Sequence, residues 1–177
     1  IELFQEKDLK FTMDDVAEKL KISKKTIYSC FESKEDLLIA VTDEVFSSIY
    51  EEKERIMNSD LPTAEKLATV MTALPGQYET ADFRKLEGLD EKYPAVSRRV
   101  DEYLNSNWEP ITDLYCKGIV EGKLREISLP VLQMMFSSSI SAFISEGNLK
   151  KANISYKEAL EAMMDILMKG MKVRKDD

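Results

Sequence analysis

The residues with the plainest chemical use lie between Thr12 and Lys34, in the stretch FTMDDVAEKLKISKKTIYSCFESKEDLLIAV. From Lys19 to Lys34 there are five lysines (19, 21, 24, 25 and 34) and one acid, Glu32, so the window carries +4. Ammonium groups track phosphates, and hydroxyls and phenols bond phosphates or base edges. Drawn as a helix over 24–30 at about 100° per residue, Lys25, Tyr28 and Ser29 cluster on one side, with Lys24 and Thr26 at its margins. Ile27, Cys30 and Phe31 fall on the other side. One face can anchor into a small core while the other offers groups that read duplex DNA. Thr12 adds a hydroxyl and free amides at a helix start. Lys34 sits in the first turn of the next long helix, where a cation opposes the dipole and a nearby phosphate would compensate it. An ordinary amphipathic helix with solvated lysines has the same composition, and charge alone does not separate the two.

The remaining chemistry is sparse. There is no histidine, which removes Ser-His and Cys-His catalysis and any His-ligated zinc. Cys30 and Cys116 are far apart and form no C-x-x-C, as expected of reduced thiols in a cytoplasmic protein. The acid pairs Asp14-Asp15 and Asp90-Glu91 are adjacent in helices and point apart, a poor catalytic dyad. No Gly-rich phosphate loop is present. The expectation is a non-enzyme without metal or cofactor. No apolar run approaches ~18 residues, so no membrane span is expected, and there is no signal-peptide pattern. The net charge of −8, from 25 basic against 33 acidic side chains, argues against nucleic acid only if the local window is ignored. The chain opens on IELF without Met, and the expectation is that residues precede Ile1.

These groups need helices to position them. Scarce Gly and Pro, abundant Lys, Glu, Leu and Met, and apolar spacing of three and four predict an all-α fold of about nine helices. Residues 1–7 read as the end of a helix. Thr12 with Asp15 resembles a capping box for a second helix, with Val16, Ala17 and Leu20 inward. Ser23 caps the short helix over 24–30. Ser33 opens a long fourth helix, striped by Leu37, Leu38, Val41, Val45, Ile49 and Ile56. After a break at Asn58 to Pro62, Leu67, Val70, Met71 and Leu74 mark another helix, ended by Pro75-Gly76. A short helix follows over 83–92. Val96 to Glu121 reads as one long helix, kinked at Pro110 and capped by Gly122. Ser128 opens a helix to about Glu146, closed by Gly147-Asn148, and Ser155 with Glu158 caps the last, to about Lys172. The tight turn Lys21-Ile22 between the second and third helices is what a helix-turn-helix requires.

Taken together, the stretch resembles the DNA-binding domain of TetR-like (tetracycline-repressor type) regulators. The resemblance rests on Thr12, Asp15 and Ala17, on Ile22-Ser23, on Thr26-Ile27-Tyr28, on Phe31, and on Ser33 to Leu38, and it covers about residues 1–47. Beyond that it is loose: helix number and the turn Glu121 to Leu124. Lys21 and Lys25 stand where the family often has Gly, and Cys30 replaces a commoner aromatic or His. Lysine at 21 requires a turn without a strong demand for positive φ.

The resemblance implies a ligand-responsive repressor that binds a palindromic operator as a homodimer, with a helix-turn-helix domain over 1–47 and a ligand and dimer domain over 48–177. DNA contacts are expected from Thr12, Ser23, Lys24, Lys25, Thr26, Tyr28, Ser29 and Lys34. The dimer stripe would comprise Met135, Phe136, Ser139, Ile140 and Phe143, facing Leu160, Met163, Ile166 and Leu167. A small-molecule effector would meet Met71, Tyr78, Phe83, Tyr103, Trp108, Tyr115 and Met134. The competing reading is a helical protein-interaction module without DNA binding, which explains the amphipathic helices but not the Lys25, Tyr28 and Ser29 face.

Overall fold

Hydroxyl side chains set the helix starts in this chain. In the computed structural model, which describes residues 2–78, 81–145 and 147–173, Thr12, Ser33 and Ser155 each accept the amide three residues on. Asp15, Asp36 and Glu158 bond back to the cap amides, completing three capping boxes. Ser23 caps its helix through Thr26 N without an acidic partner. A cap of this kind stabilises its helix by about 1 kcal/mol.

The described residues form eleven α-helices and no β-strand. The first three are α1 (Glu2–Lys7), α2 (Met13–Leu20) and α3 (Lys24–Tyr28), followed by the long α4 (Lys34–Met57). Met13, Ala17 and Ile27 bury one another, with Val16, Phe31 and Leu37 packed against them. This small core fixes the angle between α2 and α3. The body contains α5 (Thr63–Met71), the short α6 (Leu89–Lys92), α7 (Pro94–Asn105), α8 (Glu109–Val120), α9 (Leu129–Ser145), the short α10 (Asn148–Ala152) and α11 (Tyr156–Met171). Its core joins Leu67, Val70, Leu114, Leu132, Met164 and Met168, all buried.

Several expected boundaries move. The single helix over Val96 to Glu121 is two, because α7 stops at Asn105 and Asn107 turns left-handed at φ 54°. Pro110 lies in the first turn of α8, where its missing N–H leaves no bond unmade, so it starts a helix rather than kinking one. The helix over 24–30 ends at Tyr28, with Ser29 as its C-cap. The one over 83–92 is a 3-10 turn, Phe83–Leu86, then α6. Gly147 is left-handed, and Asn148 opens α10 instead of closing α9. The expected end of α9 at Glu146 lies outside the described residues.

Head and body are joined at several points among the described residues. Helix α4 runs through residue 47 without a break. Leu9 is buried with Leu89 and Val96, and Phe4, Leu38 and Ile144 pack around them. On α7, Arg99 Nε donates to Asp43 Oδ1 of α4 at 2.7 Å and Tyr103 OH donates to the same oxygen at 2.9 Å. The Tyr103 ring stacks on Phe46 at 4.5 Å. The guanidinium beside Asp43 holds that carboxyl below its ordinary pKa. At the far end, the turn after α8 is tied to α11 through Arg125 N and Met171 O at 2.9 Å. Gly118 admits this turn, since a Cβ there would lie 2.5 Å from Leu124 Cδ1.

Candidate DNA-binding face and ligand cavity

Helix α3 turns Ile27 inward at 4% exposure and leaves Ser23 to Thr26, Tyr28 and Ser29 exposed. Most polar groups there are already engaged. Lys24 Nζ pairs with Asp14 Oδ2 at 2.5 Å, and Ser29 Oγ donates to Thr26 O at 2.7 Å. The Ser23 and Thr26 hydroxyls lie 2.8 Å apart, and the Thr12 hydroxyl donates to Asp15 Oδ2 at 3.0 Å. Lys7 and the Thr12 groups hold the Asp15 carboxyl down at about 2. Among the described residues, Lys25 and Tyr28 make no ion pair or side-chain hydrogen bond, and Tyr28 is 50% exposed. They are the two groups on this face free to meet another molecule.

The basic window is less uniform than its sum. Lys19 is neutralised by Glu2 at 3.0 Å and Glu6 at 2.9 Å. Lys34 does not point outward: its Nζ donates to Leu9 O at 2.6 Å and Phe11 O at 2.5 Å and lies 4.1 Å from the Phe11 ring centroid. The expected phosphate grip is therefore replaced by an inward brace that ties α4 to the segment before α2. Cys30, expected inward, is exposed, as is Leu20 at 59%.

Lys21 reverses another expectation. It adopts φ 54°, ψ 40° and closes α2 as a left-handed cap, so positive φ is demanded there after all. A side chain in that region is strained by about 1 kcal/mol, which glycine relieves while losing some chain entropy. Lys21→Gly is expected to raise the melting temperature by about 1–3 °C, read by circular dichroism. An unchanged or lower value would show that the lysine carries a compensating interaction.

Behind the head lies an apolar cavity of about 650 Å³. Small-molecule sites commonly run from about 300 to 1,000 Å³. Phe4 and Val16 of the head, Val41, Phe46 and Ile49 of α4, and Val100, Phe136, Ile140 and Leu160 of the body share its wall. Of the expected pocket residues, Met71, Tyr78 and Phe83 line it. Tyr103 instead clamps Asp43. Trp108 Nε1 donates to Leu104 O at 2.8 Å, and Tyr115 OH donates to Arg125 O at 2.9 Å, so both serve the scaffold. Met134 is 60% exposed and lies off the wall. Sequence reasoning missed the α4 side of the cavity, because its apolar stripe reads as plain core. It also missed Tyr156, whose phenol burial pushes well above its ordinary pKa.

The expected dimer stripe divides. Phe136, Ile140 and Leu160 are buried within the subunit and belong to the cavity wall rather than to a surface. Phe143, Met163 and Leu167 are half-buried against the main core. Ser139 Oγ bonds Met135 O at 2.6 Å. Met135 (53%) and Ile166 (70%) remain exposed.

Residues 1–41 match the model of bacterial regulatory proteins of the tetR family. An HTH-type transcriptional regulator of Bacillus subtilis, YvaF, is 25% identical over 170 residues, 96% of this chain and 90% of that protein. Among solved structures, a TetR/AcrR-family regulator from Thermobifida fusca superposes with a TM-score of 0.61 at 22% identity, over 96% of this chain and 92% of that one. FadR from Bacillus subtilis, in complex with stearoyl-CoA, gives 0.65 at 19% identity, over 95% and 91%. These likenesses extend over head and body alike. With a helix-turn-helix whose third helix presents Lys25 and Tyr28, the chain carries the DNA-binding domain of the tetR family of bacterial regulatory proteins and resembles transcriptional regulators of that type along its length.

Proposed function

We propose that this regulator is a ligand-responsive repressor whose homodimer holds a palindromic operator and releases it when an apolar small molecule fills the cavity. The observation that carries the reading is the shared wall. Phe4 and Val16 of the head, α4 and the body helices enclose one space, so an occupant touches both units at once. A ligand shifts an equilibrium only by its differential affinity for two states, and a site bounded by both moving parts can provide that difference. FadR of Bacillus subtilis, which shares the fold, was solved with stearoyl-CoA, and this supports an acyl chain as the class of occupant. Lys24, Lys25, Thr26 and Tyr28 of each head would enter the major groove, at half-sites about one helical turn apart or a multiple of that.

The test is selection of an operator from random duplexes, followed by fluorescence anisotropy with and without dodecanoyl-CoA, dodecanoate and dodecanol. The expected result is tight binding that weakens as salt rises and falls at least about ten-fold with one of the amphiphiles. If an operator is selected but no amphiphile changes its affinity, the ligand response is wrong. If no operator emerges, the repressor reading itself fails.

A further inference from the structure

We propose that the cavity takes a free aliphatic carboxylate, with its headgroup on the Lys53 ammonium. This rests on the ligand-responsive reading above and names the chemistry of its occupant. The cavity wall is almost wholly hydrocarbon, and three charged side chains reach it: Glu2, Lys19 and Lys53. Glu2 and Lys19 neutralise each other at 3.0 Å. Lys53 has no carboxylate within ion-pair distance among the described residues, and its Nζ lies 5.8 Å from the centroid of the Tyr50 ring. It lies one turn after Ile49 and two after Phe46, both on the wall, so its stem continues the apolar stripe of α4. Burial depresses its pKa, with desolvation as the sole cause. An ammonium held against hydrocarbon without a counter-charge is costly, and an anion seated beside it removes that cost.

Charge and shape together select the ligand class. An apolar space with one unpaired cation suits a hydrocarbon chain ending in one negative charge. A thioester carbonyl and an alcohol oxygen can each accept a hydrogen bond from the ammonium, but neither cancels its charge. Both are controls for the same chain length.

The experiment is isothermal titration of the full chain with dodecanoate, dodecanol and dodecanoyl-CoA, for the wild type, Lys53→Met and Lys53→Arg. The wild type is expected to bind dodecanoate at least about ten-fold tighter than dodecanol, the usual scale of a charge-assisted contact in an apolar site. Lys53→Met removes this preference and leaves dodecanol unchanged. Lys53→Arg keeps it. Among the described residues Lys53 has no ion pair to lose, and its contact with the Tyr50 ring is long, so Lys53→Met is expected to stay folded, as circular dichroism will show. Equal binding of acid and alcohol, tighter binding of the thioester than of the acid, or an acid affinity indifferent to Lys53→Met overturns the carboxylate assignment and leaves the cavity as a ligand site. Failure of all three amphiphiles to bind overturns the ligand-responsive reading as well.

Discussion

Replacing Lys25 and Tyr28 together with alanine is expected to lower operator affinity about a hundred-fold while leaving the fold intact. Both side chains stand exposed on α3 without an ion pair or side-chain hydrogen bond among the described residues, so no such bond is removed with them. Surface changes of that kind alter stability by about half a kcal/mol or less. The two singles separate by mechanism. Lys25→Ala is expected to reduce the slope of log affinity against log salt by about one, as for the loss of a single phosphate contact. Tyr28→Ala leaves the slope and weakens binding to the selected operator more than to random duplex, because a phenol contributes no charge. Lys34→Ala is the informative contrast. Its ammonium joins the Leu9 and Phe11 carbonyls, so the expected effect is a lower melting temperature, from a loss of about 1–3 kcal/mol. If Lys34→Ala instead preserves stability and reduces the salt slope by one, Lys34 is a phosphate ligand and the inward geometry does not describe the working protein.

That contrast shows what local sequence can carry. The capping pairs Thr12 with Asp15, Ser33 with Asp36 and Ser155 with Glu158 are legible because their bonds close within four residues. Ile27 is legible because a five-residue helix has one inward face. The direction of Lys34 is not, since it is decided by carbonyls 23 and 25 residues away. The break before α8 was ambiguous for a different reason: proline gives the same signal for a kink and for a first turn, and the left-handed Asn107 decides between them. A lysine at 21 gives no hint of positive φ, which geometry imposes there because the chain must turn at once into α3. The cavity was the least legible. It is an absence of atoms, and an apolar stripe on α4 looks alike whether it faces side chains or empty space. Aromatic and Met residues pointed to three of its wall positions, Met71, Tyr78 and Phe83, and to four that serve elsewhere.

Ile166→Glu combined with Met135→Glu is expected to turn the proposed dimer into a monomer at micromolar concentration, as measured by sedimentation. On α9, Val131, Met134 and Met135 are exposed at spacings of three and four, hence on one face. On α11, Ile166 is 70% exposed, and a Cβ at Gly170, one turn on, would meet nothing within 4 Å. Helices α9 and α11 pack against each other, and in the proposed homodimer these exposed residues would be covered by the second copy. In a two-fold interface each substitution acts twice, and like charges then face one another across a surface that excludes water. Operator affinity should fall with the dimer, by about a hundred-fold or more, because the second half-site is no longer held at high effective concentration. Val120→Glu is the control. Val120 is 88% exposed and ends α8 rather than lying on α9 or α11, so the same charge there should leave both assembly and binding unchanged. A dimer that survives the double substitution would place the interface elsewhere and leave Met134, Met135 and Ile166 without a partner in the assembly.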